Sequence, residues 1–244
     1  HLAVVLLLLA VGTALARLPT PKQIQNNEAL VGVALTFVLV PLVMAYPLAG
    51  QGIAFFDALF EAVSAITTTG LSTIGSVAGK EESFLFSRAW MQWYGGLGIV
   101  VLSVALLMGP GAATRRLARV GGEWKDPVTG TRIHAQRALS VYLVLTLTGV
   151  MLLRLTGLEW NDSLLHTLAG VSTGGFSNFD ASMGAFSNGS SRAVLMLLAW
   201  AGAISLVLYH PAHYRGWRET SGHLELLGLL AASLASIGVL ACCM

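Results

Sequence analysis

The most constraining feature of this sequence is a short apolar stretch that is too short to cross a membrane. Residues 57–73 read DALFEAVSAITTTGLST, a short helical run followed by a turn rich in threonine with one glycine, Gly70. At 1.5 Å per residue such a helix covers roughly 16 Å, about half of the hydrocarbon thickness of a bilayer. Irregular backbone at membrane depth is tolerated only where protein buries it or where it lines a watery cavity. The stretch therefore predicts a pore helix leading into a loop whose backbone carbonyls replace the hydration shell of an ion.

The rest of the chain is apolar enough to surround such a loop with membrane helices. Of its 244 residues, 55% are hydrophobic and 11% are charged, and the mean hydropathy is +0.72. Soluble domains carry roughly 25% charged residues, so this composition predicts an integral membrane protein. The net charge of +2 is too small to indicate a nucleic-acid partner. The two cysteines, Cys242 and Cys243, are adjacent and make poor disulfide partners, and no metal-binding or nucleophile motif is present.

The pore-loop pattern occurs twice. Placing Asp57 on Asp162, an offset of 105 residues, aligns Gly70 with Gly175. Each copy has a short helix that begins with an acid, a loop with threonine and glycine, and a long apolar run after it. Two copies at a constant offset indicate the internal duplication found in membrane transport proteins. We predict that Asp57 and Asp162 cap the two pore helices, because a carboxylate there accepts hydrogen bonds from free backbone N–H groups.

The order of apolar and polar segments predicts an all-α membrane protein, built of repeated helix, re-entrant pore-loop and helix units around an ion pathway. Pro41 and Pro47 suggest that the first spanning helix kinks or ends near Tyr46. Both ends of the chain lie within apolar runs, so we expect the sequence to be a piece of a longer protein. The predicted segments are the end of a preceding transmembrane helix (1–18), a first repeat (19–110), a cytoplasmic basic connector (111–137), a second repeat (138–210), and a cytoplasmic connector with the first helix of a possible third repeat (211–244).

The distribution of lysine and arginine predicts the orientation in the membrane. Ten of the 14 basic residues lie in the connectors 17–28, 109–137 and 209–222. The positive-inside rule makes this face cytoplasmic. The sequence therefore predicts a multi-pass protein of the cytoplasmic membrane whose pore loops face outward.

Charged residues near the loops have two interpretations each. Glu61, one turn inside the first pore helix, either holds the filter through hydrogen bonds or attracts cations at its mouth, or else makes an ordinary surface contact. Its repeat partner is His166. Arg88 and Arg192 stand at matching starts of the helices that follow the loops. We expect them to snorkel to the outer interface, and the alternative is that they help to exclude excess cations. A histidine near serine or aspartate also leaves an intramembrane enzyme as a minor alternative.

Three motifs resemble the Trk/Ktr/HKT superfamily of potassium transporters, most closely its bacterial TrkH-type membrane subunits. They are FEAVSAITTTG at 60–70, QWYGGLGI at 92–99, and VSTGGFS at 171–177 with DAS at 180–182. The resemblance covers nearly the whole chain but only two of the family's four repeats. It implies potassium uptake and no enzymatic activity. A sodium- or mixed-cation transporter of the same superfamily is the alternative, and a non-conducting scaffold is another.

The same resemblance implies where the ion binds and which partners are present. Potassium would be the transported ion, with no covalent cofactor and no transition-metal site. The implied partners are the lipid bilayer, a second copy in a homodimer, and a cytosolic nucleotide-binding subunit of the RCK type. The residues implied to bind the ion through their backbone carbonyls, with glycines at the centre of each loop, are Thr68, Thr69, Gly70, Leu71, Thr173, Gly174, Gly175 and Phe176.

Overall fold

A computed structural model describes residues 6, 9–14, 17, 26–107, 127–204, 227–233 and 235. Within these residues the regular structure is helical throughout, which confirms the predicted all-α class. The predicted segments 1–18 and 211–244 and much of the connector 111–137 lie largely outside the described residues. The helices of the two repeats are α1 (Asn26–Ala49), α2 (Phe55–Ile66), α3 (Glu82–Leu107), α4 (Pro127–Leu155), α5 (Trp160–Val171) and α6 (Gly189–Ala203), with a 3-10 turn at Ser182–Ala185.

Two helices extend further than the sequence pattern predicts. The helix α1 includes both Pro41 and Pro47 and continues to Ala49, three residues past the end predicted near Tyr46. The helix α4 begins at Pro127, so the last part of the predicted connector is helical. A proline at the first helical position needs no partner for an N–H group and has a backbone angle that suits a helix start.

Two helical segments are long and apolar enough to cross a membrane. They are Val31–Ala49 and Ala138–Leu155, with mean hydropathies of 2.2 and 1.9, and only 22% and 28% of their residues are buried within the protein. Exposed apolar side chains of this number require an apolar environment, either lipid or further protein. The large exposed side chains on these segments are Val31, Leu35, Val38, Leu39, Leu42, Tyr46, Leu139, Leu143, Val144, Leu147, Met151, Leu152 and Leu155.

The helix α3 belongs to the first repeat and also contacts helices of the second. The outer helix α1 packs along α2, and α4 packs along α5 and α6, while α3 contacts α1, α2, α4 and α5. A Cβ atom at Gly95 of α3 would lie 1.8 Å from the carbonyl oxygen of Ile66, and one at Gly202 of α6 would lie 2.2 Å from that of Val171. Each helix that follows a loop therefore meets the end of its own pore helix at a glycine.

The register between the repeats changes by two residues after the loops. The pore helices have 12 residues each and match at an offset of 105, which pairs Ile66 with Val171. The glycine contacts pair Gly95 with Gly202, an offset of 107. The two additional residues of the second repeat therefore lie in its outer loop, which contains the 3-10 turn Ser182–Ala185.

Candidate functional site

Both pore helices end in the same backbone turn. Thr68 and Thr173 each have a φ angle of 54°, in the left-handed region. Their N–H groups donate to the carbonyl oxygens of Ala65 and Gly170, in both cases at 3.0 Å. A left-handed residue with a side chain costs roughly 1–2 kcal/mol, so it is rarely adopted without a structural reason. Its occurrence at equivalent positions supports the internal duplication inferred from the sequence.

The glycine of each loop is required for its backbone conformation. Gly70 has a φ angle of 75° and Gly175 one of 82°. A Cβ atom on Gly70 would also lie 2.0 Å from the carbonyl oxygen of Gly174, whereas the space around Gly175 is open. The backbones of the two loops are therefore in direct contact, as expected if both contribute to one site.

The carbonyl oxygens of the eight residues implied to bind the ion differ in availability. The oxygen of Leu71 accepts a hydrogen bond from Ser64 Oγ at 2.6 Å, and that of Gly174 accepts one from Gln92 Nε2 at 2.6 Å. An oxygen that already accepts from the protein is a weaker ligand, because the hydrogen of the donor repels a cation. In the described part of the chain no donor contacts the carbonyl oxygens of the other six, Thr68, Thr69, Gly70, Thr173, Gly175 and Phe176.

Side chains offer no alternative ion site of the metal-binding kind. Within residues 26–107 and 127–204 and the shorter described pieces, no three His, Cys, Asp or Glu side chains come close enough together to hold a metal ion.

Glu61 is a buried brace for the first loop. Its side chain is 0% exposed, and Oε1 accepts hydrogen bonds from Ser72 Oγ at 2.6 Å and from the Thr73 N–H at 3.0 Å. Arg88, 3% exposed, has its Nε atom 2.9 Å from Oε2, an ion pair without the linear geometry of a hydrogen bond. The contacts agree with the interpretation that Glu61 holds this loop through hydrogen bonds, and the surface-contact interpretation is wrong because the side chain is buried.

Arg88 and Arg192 are not equivalent, contrary to the sequence-based expectation. The offset of 107 for the helices after the loops pairs Arg88 with Leu195. Arg192 lies one turn earlier, is exposed, and donates to the carbonyl oxygen of Phe186 at 2.6 Å. Arg88 is buried against Glu61, so the expectation that it snorkels to the interface is wrong.

His166 occupies the position of Glu61 in the second repeat. Its Nδ1 is 2.8 Å from the carbonyl oxygen of Asp162, and its Nε2 is 3.1 Å from Ser177 Oγ. A carbonyl oxygen only accepts, so Nδ1 carries the hydrogen. The ring is 3% exposed, and burial favours the neutral imidazole, in which Nε2 accepts from the hydroxyl of Ser177.

The serines held by Glu61 and His166 have the same surroundings. The Ile74 N–H donates to Ser72 Oγ at 3.1 Å, and the Phe179 N–H donates to Ser177 Oγ at 3.1 Å. Because this arrangement recurs in the first repeat with a carboxylate in place of the imidazole, it braces a loop. It is not the base and nucleophile that the enzyme alternative requires.

The prediction that Asp57 and Asp162 are helix caps is wrong. The N-cap residues are Ala54 and Glu159, and neither makes a side-chain cap hydrogen bond. The two aspartates lie inside the first turn, where a negative charge still interacts favourably with the helix dipole. The carboxylate of Asp162 accepts a hydrogen bond from Asn178 Nδ2 at 3.0 Å, so it also holds the second loop.

The helix α3 of the first repeat also contacts the loop of the second. Gln92, 0% exposed, donates from Nε2 to Gly174 and accepts at Oε1 from the Phe176 N–H at 3.3 Å. The guanidinium of Arg88, one turn earlier on the same face, lies 3.9 Å from the ring centroid of Phe176. In the sequence Gln92 belongs to a family motif that gives it no role, and its one signal is that an amide stands within an apolar helix, where it needs a specific partner.

A surface hydrogen-bond network connects the outer parts of the two loops. The carboxylate of Asp180 accepts from Ser76 Oγ and from the Val77 N–H, both at 2.6 Å. The Ser76 hydroxyl first, and then the Val77 backbone, hold the pKa of Asp180 below its ordinary value. The loops therefore contact each other at Gly70 and Gly174 and again near the surface.

Similarity to known proteins covers most of the chain. Residues 2–216 match the family model described as TrkH, cation transport protein. The chain is 34% identical over 227 residues to the Trk system potassium uptake protein TrkH of Halomonas elongata, which covers 88% of this chain and 46% of that protein. It is 32% identical over 174 residues to the Trk system potassium uptake protein TrkG of Escherichia coli, which covers 68% of this chain and 36% of that one.

A solved structure has a similar fold. The alignment with the crystal structure of the potassium transporter TrkH from Vibrio parahaemolyticus has a TM-score of 0.67 and 27% sequence identity. It covers 86% of this chain and 42% of that chain. The chain thus spans less than half the length of the relatives that it matches.

Proposed function

The chain belongs to the TrkH family of cation transport proteins, and from this premise we propose that it forms part of a pore for potassium uptake. Its relatives are transporters and not enzymes, and the family places the chain among integral membrane proteins. The observation that most directly supports the proposal is the contact of the two loops at Gly70 and Gly174, beside six carbonyl oxygens that accept no hydrogen bond within the described residues.

The backbone of each loop suits the coordination of a dehydrated cation. Left-handed residues at Thr68 and Gly70 alternate with a residue of negative φ at Thr69, and the second loop repeats this alternation. Such alternation allows successive carbonyl groups to turn to the same side of the chain. Carbonyl oxygens arranged in this way replace the water molecules that an ion loses on entry.

The pore helices add a favourable electrostatic contribution. Both α2 and α5 end at the loops, so the negative ends of their dipoles lie beside the proposed ion path. This end of a helix favours a positive charge, and it acts without any buried carboxylate on the path itself. The arrangement is therefore suited to a cation that passes through and does not remain bound.

We extend the proposal to the whole assembly. The protein would lie in the cytoplasmic membrane with its loops facing outward, and two further loops, from a longer chain or a second copy, would complete a four-sided filter. The names of the relatives refer to a Trk system, which implies further components. A homodimer and a cytosolic nucleotide-binding partner of the RCK type are the components that the family resemblance predicts, and co-purification from membranes tests both.

Substitution of the loop glycines tests the proposed function. In the full-length protein, expressed in cells that lack their own potassium uptake, Gly70→Ser and Gly175→Ser are expected to reduce potassium uptake or the preference for K⁺ over Na⁺. The space around Gly175 is open, so Gly175→Ser perturbs the backbone conformation alone. The matched control is Gly75→Ala, at an open position without a left-handed backbone.

Two outcomes would change the proposal. Unchanged uptake and an unchanged K⁺/Na⁺ preference in both serine variants would overturn the assignment of the filter. Uptake of sodium in place of potassium by the unmodified protein would favour the sodium-transporting alternative of the same superfamily.

A further inference from the structure

We propose that Arg88 and Gln92 are positioning residues that hold the filter loops of both repeats in one register, so that ion selectivity depends on two side chains that bind no ion. This inference rests on the proposed function, because the register of the loops matters only if they form a filter. Both residues belong to the first repeat, yet both contact the loop of the second.

A chain of contacts through Glu61 and Arg88 connects the first loop to the second. The first loop is attached to Glu61 by two hydrogen bonds, and Glu61 is paired with Arg88 in a site closed to water. The guanidinium of Arg88 lies over the ring of Phe176 in the second loop, in cation–π geometry. A buried charge that loses its partner is strongly destabilising, so the members of this chain cannot move independently.

The absence of a side chain at Gly174 leaves space for the amide group of Gln92. A Cβ atom on Gly174 would lie 2.4–2.7 Å from the amide group of Gln92. The equivalent residue of the first loop is Thr69, which has a side chain and an exposed position. The two loops therefore differ in sequence at the position where Gln92 packs, as expected if its amide fixes the second loop.

The second repeat has different residues at the positions equivalent to Arg88, Gln92 and Glu61. At the offset of 107, the equivalents of Arg88 and Gln92 on α6 are Leu195 and Ala199. At the offset of 105, the equivalent of Glu61 is His166, which is held as a neutral group. The carboxylate is thus present only in the repeat that has an arginine at this helix position, as expected if Glu61 and Arg88 act as one unit.

The test uses the full-length protein in liposomes, with uptake of K⁺ and Na⁺ and thermal unfolding measured on the same samples. Removal of Arg88 alone would leave a buried carboxylate unpaired, so the informative variant is Glu61→His with Arg88→Leu, which copies the pair of the second repeat. Gln92→Ala copies Ala199 in the same way. The matched control is Gln136→Ala, at an exposed position of α4.

Each result supports or contradicts the proposal. We expect the double variant and Gln92→Ala to remain folded, with an unfolding temperature lowered by the loss of buried hydrogen bonds, and to lose at least about fivefold in K⁺/Na⁺ preference, the size expected when one net hydrogen bond no longer holds the loop. Wild-type preference in folded variants would overturn the positioning role. The proposed function would stand in that case if Gly175→Ser still changed the preference, and would fail if Gly175→Ser had no effect. If the double variant does not fold, Gln92→Ala alone decides.

Discussion

His166 stands in the second repeat where Glu61 stands in the first, and each side chain accepts a hydrogen bond from the hydroxyl of an equivalent serine. The difference in charge follows from the helix packed behind each loop. In the first repeat that helix provides Arg88, and in the second it provides Leu195, so a carboxylate is compensated in one and would be isolated in the other. The same loop geometry is therefore held by a carboxylate paired with an arginine in the first repeat and by an imidazole in the second.

The charge at position 166 provides the first prediction. His166→Glu is expected to lower the free energy of unfolding by about 3–5 kcal/mol, because the position equivalent to Arg88 is Leu195 and provides no cation for a buried carboxylate. His166→Gln, which stays neutral and can accept the same hydrogen bond, is expected to cost about 1 kcal/mol. Adding Leu195→Arg to His166→Glu is expected to recover part of the loss. Denaturant unfolding measures all three, and equal losses for the glutamate and glutamine variants would contradict the prediction.

The glycines at the helix contacts provide the second prediction. Gly95→Ala and Gly202→Ala would each place a methyl group against a backbone carbonyl that cannot rotate away. Overpacking of this kind costs typically about 1–3 kcal/mol, so both variants are expected to unfold at lower temperature. Gly32→Ala is the matched control, since Gly32 lies in α1 with no atom within 4 Å of the added methyl. Alanine there is expected to be neutral or stabilising by up to about 1 kcal/mol.

The outer link at Asp180 gives the third prediction, which concerns pH. The pKa of Asp180 in the folded protein is below its ordinary value of 3.8, because the Ser76 hydroxyl and the Val77 N–H stabilise the charged form. The carboxylate therefore stabilises the fold above pH 3.8, and this contribution disappears as the pH falls through the lowered pKa. Asp180→Asn is expected to reduce the unfolding temperature near neutral pH.

The difference between Asp180→Asn and the unmodified protein should decrease when the pH is lowered below 3.8. Glu82→Gln is the control, because Glu82 is an exposed carboxylate with no hydrogen bond or ion pair among the described residues. A difference for Asp180→Asn that is the same at every pH would show that the network does not act through the charge of Asp180.

The hydroxyl of Ser64 provides the fourth prediction. It donates to the carbonyl oxygen of Leu71, and the equivalent residue in the second repeat is Ala169, which has no hydroxyl. Ser64→Ala is expected to lower the free energy of unfolding by about 1 kcal/mol while potassium uptake is retained. Ser140→Ala, which removes an exposed hydroxyl from α4, is the control. Lost uptake with unchanged stability would place the carbonyl of Leu71 among the ion ligands.

The sequence was sufficient to predict the two pore helices and their loops because these features are local. A helix of 12 residues and a left-handed glycine leave a direct trace in apolar spacing and in the position of Gly70 and Gly175. The constant offset then related the two copies without any knowledge of packing. The cap positions were missed because an acid in the first turn and an acid at the cap both interact favourably with the helix dipole.

The side chains that brace the loops could not be predicted because their partners are distant in sequence. Gln92 and Gly174 are 82 residues apart, and their contact depends on the placement of α3 between the repeats. One signal was present: aligning the later helices on Gly95 and Gly202 pairs Arg88 with Leu195. Glu61 and Arg88 are then both replaced by other residue types in the second repeat, as expected for two residues that form an ion pair.

The two additional residues of the second repeat lie in its outer loop, after a turn with the same φ angle at Thr173 as at Thr68 and a similar one at Gly175 as at Gly70. Chain length can therefore vary at this rim while the glycine turn keeps its shape. A fluorescent or spin label attached at the exposed Ala185 would move with the outer loop without altering the turn. Movement of this rim could then be followed as a spectroscopic signal, independently of any flux across a membrane.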